Sequence, residues 1–373
     1  MKDGIIQHTI KVLQRIFNDL HVTISLYTIE RLAVIIHSAM GGAARNFHTL
    51  EHVFNMLHPS DPLHCLAALF HDIVYYQVDK GFPPEIHNIL SSYIREEEGD
   101  VYISKTIPPD DRIIFLTLDI FHFTMGQKLS PFGGLNEFLS ALVMNKILGS
   151  IIPEKDCVQI TVCIEATIPF RTQNREDEGW ATDLELRLAH CNEKYGLSMS
   201  PEEVVAAIKR AVLFANTDVE NFAEQNVGKF LDNTWRLLQE SNSTLRSGEI
   251  YFIRDYRRAL QKTEGFFANL NPDNVFTRYR EVPPEKEYKN LQILVNRNIH
   301  IAREYLGIKL LAIAIIEALA EITGGDAPVA LFMGGIPKEE EDAKRFEDFL
   351  PDHASRSIDM ASVSYTHLRA HET

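Results

Sequence analysis

The chain has 373 residues, of which 37 are lysine or arginine and 52 are aspartate or glutamate, so its formal net charge is −15. This length is enough for one large or two ordinary domains with a sizeable core. The acidic balance disfavours an extended nucleic-acid interface, which needs clustered lysine and arginine to displace counterions. We therefore expect a small-molecule partner and no nucleic-acid polymer.

Apolar residues recur at three- and four-residue spacing along most of the chain, which predicts an all-α fold. Paired breakers such as Pro83-Pro84 and Gly133-Gly134 separate the periodic segments. Alternating runs typical of strands are scarce. The predicted helices cover residues 5–20, 28–40, 62–76, 136–148, 201–215 and 286–322.

The first chemical pattern is Asn46-Phe-His-Thr-Leu-Glu-His52, which holds two histidines four residues apart, His48 and His52. If this segment is helical, both imidazoles project from one face and share a pocket. A single histidine is more often a core residue bonded to a backbone carbonyl. The pair alone therefore does not establish a metal site.

The next predicted helix opens with Ser60-Asp61-Pro62, an N-cap candidate followed by proline in the first turn. His71 and Asp72 lie inside its apolar run, where an uncompensated carboxylate is costly and is normally protonated or paired. A divalent cation held by neutral imidazoles and carboxylates would compensate them. A metal with open coordination positions suits hydrolysis.

A strong helix start, Ser200-Pro201-Glu202-Glu203, precedes a further segment that matters for the site. Its apolar stripe consists of Val204, Ile208, Ala211 and Ala215. Asp218 continues this stripe, so a helix of that length points a carboxylate into the core. Alternatively, the helix ends near Asn216 and Asp218 caps the next one.

These motifs resemble those of the HD-domain superfamily, metal-dependent phosphohydrolases named for an adjacent His-Asp pair on a helical bundle. Residues 47–52 are similar to the Tyr-His-Asn-x-x-His stretch of cyclic-nucleotide phosphodiesterases and to a Tyr-His-x-x-x-His stretch of bacterial predicted HD phosphohydrolases. Residues 70–75 resemble the bacterial group still more closely. Phe47 and Thr49 replace the usual tyrosine and asparagine, so details of the phosphodiesterase pocket are not carried over.

The resemblance implies a site and a chemistry. His52, His71, Asp72 and Asp218 would be metal ligands, and His48 would be the acid that protonates the leaving oxygen. The cofactor would be a divalent metal ion (Mn, Mg, Zn, Ni or Fe), and the substrate a small phosphoester such as a nucleotide or a phosphorylated metabolite. Two alternatives stay open, a di-iron oxygenase and a regulatory protein that binds a ligand without turnover.

Five further residues are weaker candidates. Arg45 could offer a planar guanidinium to a substrate phosphate or could be an ordinary surface arginine. Glu85 and His87 could serve a second metal or activate water, or could lie in a solvated loop. His122 could line the pocket, although a core histidine is the favoured interpretation. Arg171 is open to functional and surface roles, with the surface favoured.

The predicted organisation is an HD-type helical bundle over residues 1–265 and a helical extension over residues 266–350. The junction is expected at residues 269–273. A tail over residues 351–373 is expected to lack order. Its last part, residues 362–373, resembles a translated sequencing adapter and is excluded from the fold.

Several features predict a cytoplasmic protein. The start of the chain lacks the pattern of an export signal. The most apolar window, residues 306–322, is interrupted by three charged residues and is expected to be a buried helix, not a membrane anchor. No close Cys-x-x-Cys pair occurs, which predicts reduced, buried thiols at Cys65, Cys157, Cys163 and Cys191. The sequence leaves homo-oligomerisation open.

Overall fold

The fold is described from a computed structural model over residues 4–171, 179–245 and 252–323. The predicted tail at residues 351–373 lies outside the described residues. The first seven helices are α1 (Ile5–Asp19), α2 (Leu26–Met40), α3 (Leu50–Asn55), α4 (Pro62–Phe70), α5 (Tyr76–Asp79), α6 (Pro84–Leu90) and α7 (Arg112–Phe121). The next seven are α8 (Leu135–Leu148), α9 (Glu154–Ala166), α10 (Gly179–Tyr195), α11 (Pro201–Asp218), α12 (Val227–Ser241), α13 (Ile253–Asn269) and α14 (Glu285–Thr323). The predicted all-α class is confirmed.

One predicted helix is shorter than expected. The segment 62–76 was predicted to be continuous, but α4 ends at Phe70, and the chain turns through His71 and Asp72 before α5. Side chains of α8 stabilise this turn, because Ser140 Oγ accepts a hydrogen bond from the Val74 N–H at 3.1 Å. Tertiary hydrogen bonds thus replace the intrahelical ones, and the His-Asp pair lies just beyond the helix instead of within it.

A small antiparallel sheet interrupts the helices. Its strands are β1 (Ile94–Glu97), β2 (Asp100–Ile103) and β3 (Lys128–Leu129), in the order β1-β2-β3. Glu97 pairs with Asp100 across a two-residue turn in which both Glu98 and Gly99 have positive φ. Such a turn matches the twist of a hairpin, and these short strands were not predicted from the sequence.

The core of the bundle is built around α9, which packs against α4, α7, α8 and α11. Nearly every α9 residue from Cys157 to Ala166 is buried. This helix shows no amphipathic stripe because it is surrounded by other helices. All four cysteines are free and buried, which confirms the prediction of buried thiols.

The chain divides into two compact units. The first comprises residues 1–243 and 265–304, and the second comprises residues 244–264 and 305–373. Residues 266–304 were predicted to belong to the extension, but they pack with the first unit. The reason is a set of specific contacts: Asn216 and Thr277 exchange two hydrogen bonds of 2.8 and 2.9 Å, and the Phe267 ring lies 6.3 Å from that of Phe222.

The part of α14 that covers the apolar window is only partly buried. Leu306 and Ile313 are buried, whereas Ile308 and Leu311 are 58% and 66% exposed. The predicted buried helix is therefore buried along one stripe only, and the apolar side chains on the rest of its surface are exposed. Among the described helices, none offers an apolar stretch long enough to traverse a lipid bilayer.

The helix α11 carries the clearest sequence signal of the fold. Ser200 accepts a hydrogen bond from the Glu203 N–H at 3.2 Å, and the Glu203 carboxylate accepts one from the Ser200 N–H at 2.8 Å. This capping box satisfies two N–H groups at the helix start. The helix continues to Asp218, so the longer of the two predicted helices is correct.

We expect Ser200→Ala to lower the free energy of unfolding by about 1 kcal/mol, because the N-cap hydrogen bond is lost. Urea denaturation followed by circular dichroism measures this change. The matched control is Ser38→Ala, at an exposed position inside α2, which should leave stability unchanged or slightly higher. Equal stability of Ser200→Ala and wild type would contradict the role assigned to the cap.

Candidate metal centre

Three separate elements bring a His-His-Asp cluster together. His52 lies on α3, His71 caps α4, and Asp218 is the last residue of α11. Asp218 Oδ1 lies 3.1 Å from His52 Nε2 and 3.4 Å from His71 Nε2. One ligand atom from each of the three residues lies within 4.8 Å of the others. The predicted ligands His52, His71 and Asp218 therefore converge on one point.

Asp72 completes the group, although it lies outside the tight triad. Its Oδ2 is 3.0 Å from His71 Nε2, with an exposed side-chain fraction of 18%. These two atoms are buried, and neither finds a hydrogen-bond partner among the described residues. Two buried polar atoms that face each other without bonding are expected where a cation lies between them.

The tautomer of His71 fits a metal ligand. Its Nδ1 lies 2.9 Å from the carbonyl oxygen of Ala68, which can only accept a hydrogen bond. The proton of a neutral His71 therefore sits on Nδ1, and the lone pair on Nε2 points into the cluster. A backbone carbonyl that orients the ring in this way is the usual support of a metal-bound imidazole.

The cluster is strongly coupled electrostatically. Burial disfavours the imidazolium of His71, but Asp72 and Asp218 outweigh it and raise the pKa of His71 well above 6.5. Burial likewise opposes ionisation of Asp218, but the adjacent imidazoles of His52 and His71 lower its pKa to about 2. Without a metal, protonated imidazole balances the carboxylates. A divalent cation would take over this balancing role from the proton.

His48 belongs to the site through a partner that the sequence did not reveal. Its Nδ1 makes a short hydrogen bond with Oε1 of Glu240, a residue of α12 that is 192 positions away. The Glu240 side chain is fully buried. Its Oε2 accepts hydrogen bonds from the N–H groups of Asn46, Phe47 and His48, at 2.7, 2.7 and 3.1 Å.

This carboxylate also explains where α3 begins. His48 was expected one turn before His52 on the same helix, but α3 starts at Leu50 and His48 precedes it. The N–H groups of residues 46–48 bond to Glu240 instead of belonging to a helix. The two imidazoles still lie 5.9 Å apart between ring centroids. The shared pocket is thus present without the predicted helical spacing.

Aromatic rings enclose the two histidines. Phe47 contacts His48 and His52, with ring centroids 4.9 and 5.4 Å away, and Tyr75 packs edge-on against His48 at 4.8 Å. Burial raises the pKa of Tyr75 above its usual range, so its phenol stays neutral. These rings limit the access of water to the site and strengthen its electrostatic interactions.

Arg45 supports the site from behind. Its guanidinium donates to Asp79 at 3.1 and 2.6 Å and to the backbone carbonyl of Asp72 at 2.7 Å. The side chain is fully buried. Its predicted contact with a substrate stays a prediction, and the geometry gives Arg45 a different role in holding the backbone of a ligand residue.

The remaining candidates lie elsewhere or have other partners. Glu85 and His87 are exposed on α6. His122 was expected to be buried, but it is exposed in a left-handed conformation at the C-terminus of α7. Arg171 was expected at the surface, and its side chain is 21% exposed and paired with the buried carboxylate of Glu165 at 2.8 Å.

Two acidic residues near the site were missed, Glu240 and Glu137. Both had a signal that was not used. Glu137 is a lone acid in the apolar run of α8, the same situation that drew attention to Asp72. Glu240 ends a helix whose buried face is otherwise apolar or neutral. An acid inside such a pattern indicates compensation by a partner.

Comparisons with protein-family models, with curated proteins and with solved structures give no match to this chain.

We expect Glu240→Gln to lower the pKa of His48 in the metal-free protein, measured by NMR titration of the ring. Burial opposes the charged imidazole, and Asp72 together with Glu240 outweighs it and raises the pKa of His48 above 6.5. A histidine whose pKa is raised by folding stabilises the folded protein below pH 6.5. This stabilisation is lost as the pH rises through the pKa of the histidine in the folded state. Glu240→Gln should therefore lower the free energy of unfolding by about 2 kcal/mol at pH 6, and by less at pH 9.

The matched control for this variant is Glu220→Gln, the same change at an exposed position. It should leave the His48 titration and the stability unchanged at both pH values. An unchanged His48 pKa in Glu240→Gln would contradict the coupling of these two side chains.

We expect the affinity for Mn²⁺ to rise with pH between pH 6 and pH 8, by up to about tenfold per unit for each proton displaced. The reason is that Asp72 and Asp218 hold a proton on His71, which the cation must replace. Calorimetry in two buffers of different ionisation enthalpy counts the released protons. An affinity independent of pH, with no proton release, would rule out this exchange.

Proposed function

We propose that the chain is a metal-dependent hydrolase of small phosphoesters, related in its site to the HD-domain superfamily. The observation that carries this proposal is the convergence of His52, His71 and Asp218 beside a histidine with a buried carboxylate partner. A purely structural metal has no use for such a histidine. A hydrolytic site needs a cation and a proton donor side by side.

The donor set fits a hard or borderline divalent ion. Imidazole nitrogens and carboxylate oxygens are the ligands that zinc, iron, manganese and nickel accept. Asp72, with its buried Oδ2 free of hydrogen bonds among the described residues, is the further ligand we propose. When bound, the cation would polarise the phosphoryl oxygen and lower the pKa of water.

His48 supplies the proton in this proposal. Its Nδ1 is held by Glu240, so Nε2 is the nitrogen left to face a substrate. Its pKa is raised above 6.5, which favours the protonated ring. An imidazolium positioned in this way protonates the departing alkoxide as the phosphorus–oxygen bond breaks, and regains its proton from solvent afterwards.

The negative charge of the site favours a phosphoester substrate that binds through a metal cation. Asp72, Asp218 and Glu240 are buried carboxylates, and they would repel an anionic substrate in the absence of a metal. A dication reverses this local sign inside an acidic protein. The overall charge of −15 favours a small substrate over a polynucleotide.

The di-iron oxygenase is less well supported. That chemistry needs more histidines at the site, and the candidates for this role were His87 and His122. Both are exposed, and neither joins the cluster of described ligand atoms. A regulatory protein without turnover would have no need for the His48–Glu240 pair, so we place the hydrolase first.

We expect His71→Ala and Asp218→Ala to lose bound metal, measured by plasma mass spectrometry, together with at least about 100-fold of phosphoester hydrolysis, since changes even beyond the ligand shell cost 10–100-fold. Panels of phosphatase and phosphodiesterase substrates are assayed on the same samples. His190→Ala, an exposed histidine of α10, is the matched control and should keep both properties.

His48→Asn separates metal binding from catalysis in the same experiment. It should retain the metal of the wild type while its turnover falls by about 10²–10⁴-fold. A wild type that binds no metal after reloading would refute the site. Two irons per chain without hydrolysis would favour the oxygenase instead.

A further inference from the structure

Helix α8 carries a further acidic side chain, Glu137, which is close enough to the candidate site to interact electrostatically with Asp72 and Asp218. Two side chains of α8 are hydrogen-bonded to the segment that follows the proposed ligand Asp72. Asn136 Oδ1 accepts a hydrogen bond from the Tyr76 N–H at 3.1 Å, and Ser140 Oγ accepts one from the Val74 N–H at 3.1 Å. Glu137 follows Asn136 directly and lies three residues before Ser140, so it is a neighbour of Ser140 on the surface of the helix.

The Glu137 carboxylate has one buried oxygen that no hydrogen bond compensates. Its Oε2 has no hydrogen-bond partner among the described residues, although a buried carboxylate normally has several. Burial raises the pKa of Glu137 to about 8. A hydrogen bond with its own backbone N–H and the charge of Arg171 oppose this shift, and the nearby carboxylates of Asp72 and Asp218 add to it. Such an oxygen readily takes up a proton.

The other acids near the site have different tasks. Asp72 and Asp218 face the imidazoles of the cluster. The carboxylate of Glu240 is saturated by His48 and three backbone N–H groups. Glu85, the acid that the sequence suggested for activating water, is exposed on α6. Glu137 is therefore the acid near the ligands whose oxygen is still available.

We propose that Glu137 is a catalytic residue that accepts the proton of the attacking water. This inference rests on the proposed hydrolase and adds to it the base that the reaction requires. One proton of the water passes to Glu137 as the water oxygen bonds to phosphorus. The bond from phosphorus to the leaving oxygen breaks, and His48 donates its proton to that oxygen. Glu137 then releases its proton to solvent, and His48 takes one up, so the cycle is balanced.

The proposal divides acid and base work between two residues with opposite surroundings. His48 is held charged by a carboxylate, whereas Oε2 of Glu137 has no hydrogen-bond partner among the described residues and the carboxylates of Asp72 and Asp218 disfavour the charged form of Glu137. Pairs of titratable groups whose surroundings push their protonation in opposite senses are typical of acid–base catalysis. Tyr75 stands near Asp72, Glu137 and Glu240, but it stays a neutral phenol and does not compete for the proton.

The test compares wild type, Glu137→Gln, Glu137→Ala and the exposed control Glu30→Gln, each reloaded with Mn²⁺. We expect Glu137→Gln to keep its metal content and its affinity for inorganic phosphate within twofold, while kcat falls by about 10²–10⁴-fold. We expect formate, a small base that fits the space left by the side chain, to restore part of the kcat of Glu137→Ala but not that of Glu137→Gln. Glu30→Gln should match wild type.

Each other result would overturn the proposal. Unchanged kcat in Glu137→Gln excludes a base at this position, and loss of metal or of phosphate affinity would instead make Glu137 a ligand or a structural residue. Absence of formate rescue excludes proton transfer as the missing function. Should the amide variant fail to fold, Glu137→Asp must retain an intermediate kcat. Inactive wild type with bound metal would refute the hydrolase itself, and the role of Glu137 with it.

Discussion

The burial of carboxylates is the constraint on which this site depends. Asp72 and Asp218 are largely buried, with side chains 18% exposed, and Glu240 is fully buried; in such surroundings an ionised acid is stable only if a positive charge or several donors face it. Each acid meets this need through histidine. The helices that carry these residues must therefore come together at one place, although they are far apart in the sequence.

Two histidines of the site, His71 and His48, differ in what holds their Nδ1 nitrogen. His71 donates from Nδ1 to a carbonyl oxygen, which leaves a lone pair on Nε2 and suits a ligand. His48 makes the same kind of contact with a carboxylate, which favours the imidazolium and suits a proton donor. Identical side chains in one pocket thus acquire different chemistry from the residues behind them.

Local patterns in the sequence predicted the parts of this arrangement that depend on neighbouring residues. The capping box at Ser200 and the apolar stripe along α11 correctly predicted a helix that reaches Asp218. The end of α4 at Phe70 and the start of α3 at Leu50 were not predictable in this way. Both are set by distant partners, Ser140 of α8 and Glu240 of α12, which bond to backbone N–H groups that a helix would otherwise use.

A second buried acid shows why the site lies where it does. Glu165, on the central helix α9, has a side chain that is 2% exposed, against 18% for Asp72, and Arg171 and Arg187 face it at 2.8 and 2.9 Å. A guanidinium does not give up its proton at any ordinary pH, so that cluster has a permanent charge balance and a structural role. The imidazoles around Asp72 and Asp218 can release theirs. At that place a proton can be exchanged for a cation without leaving a buried charge uncompensated, and this is the property that a metal site requires.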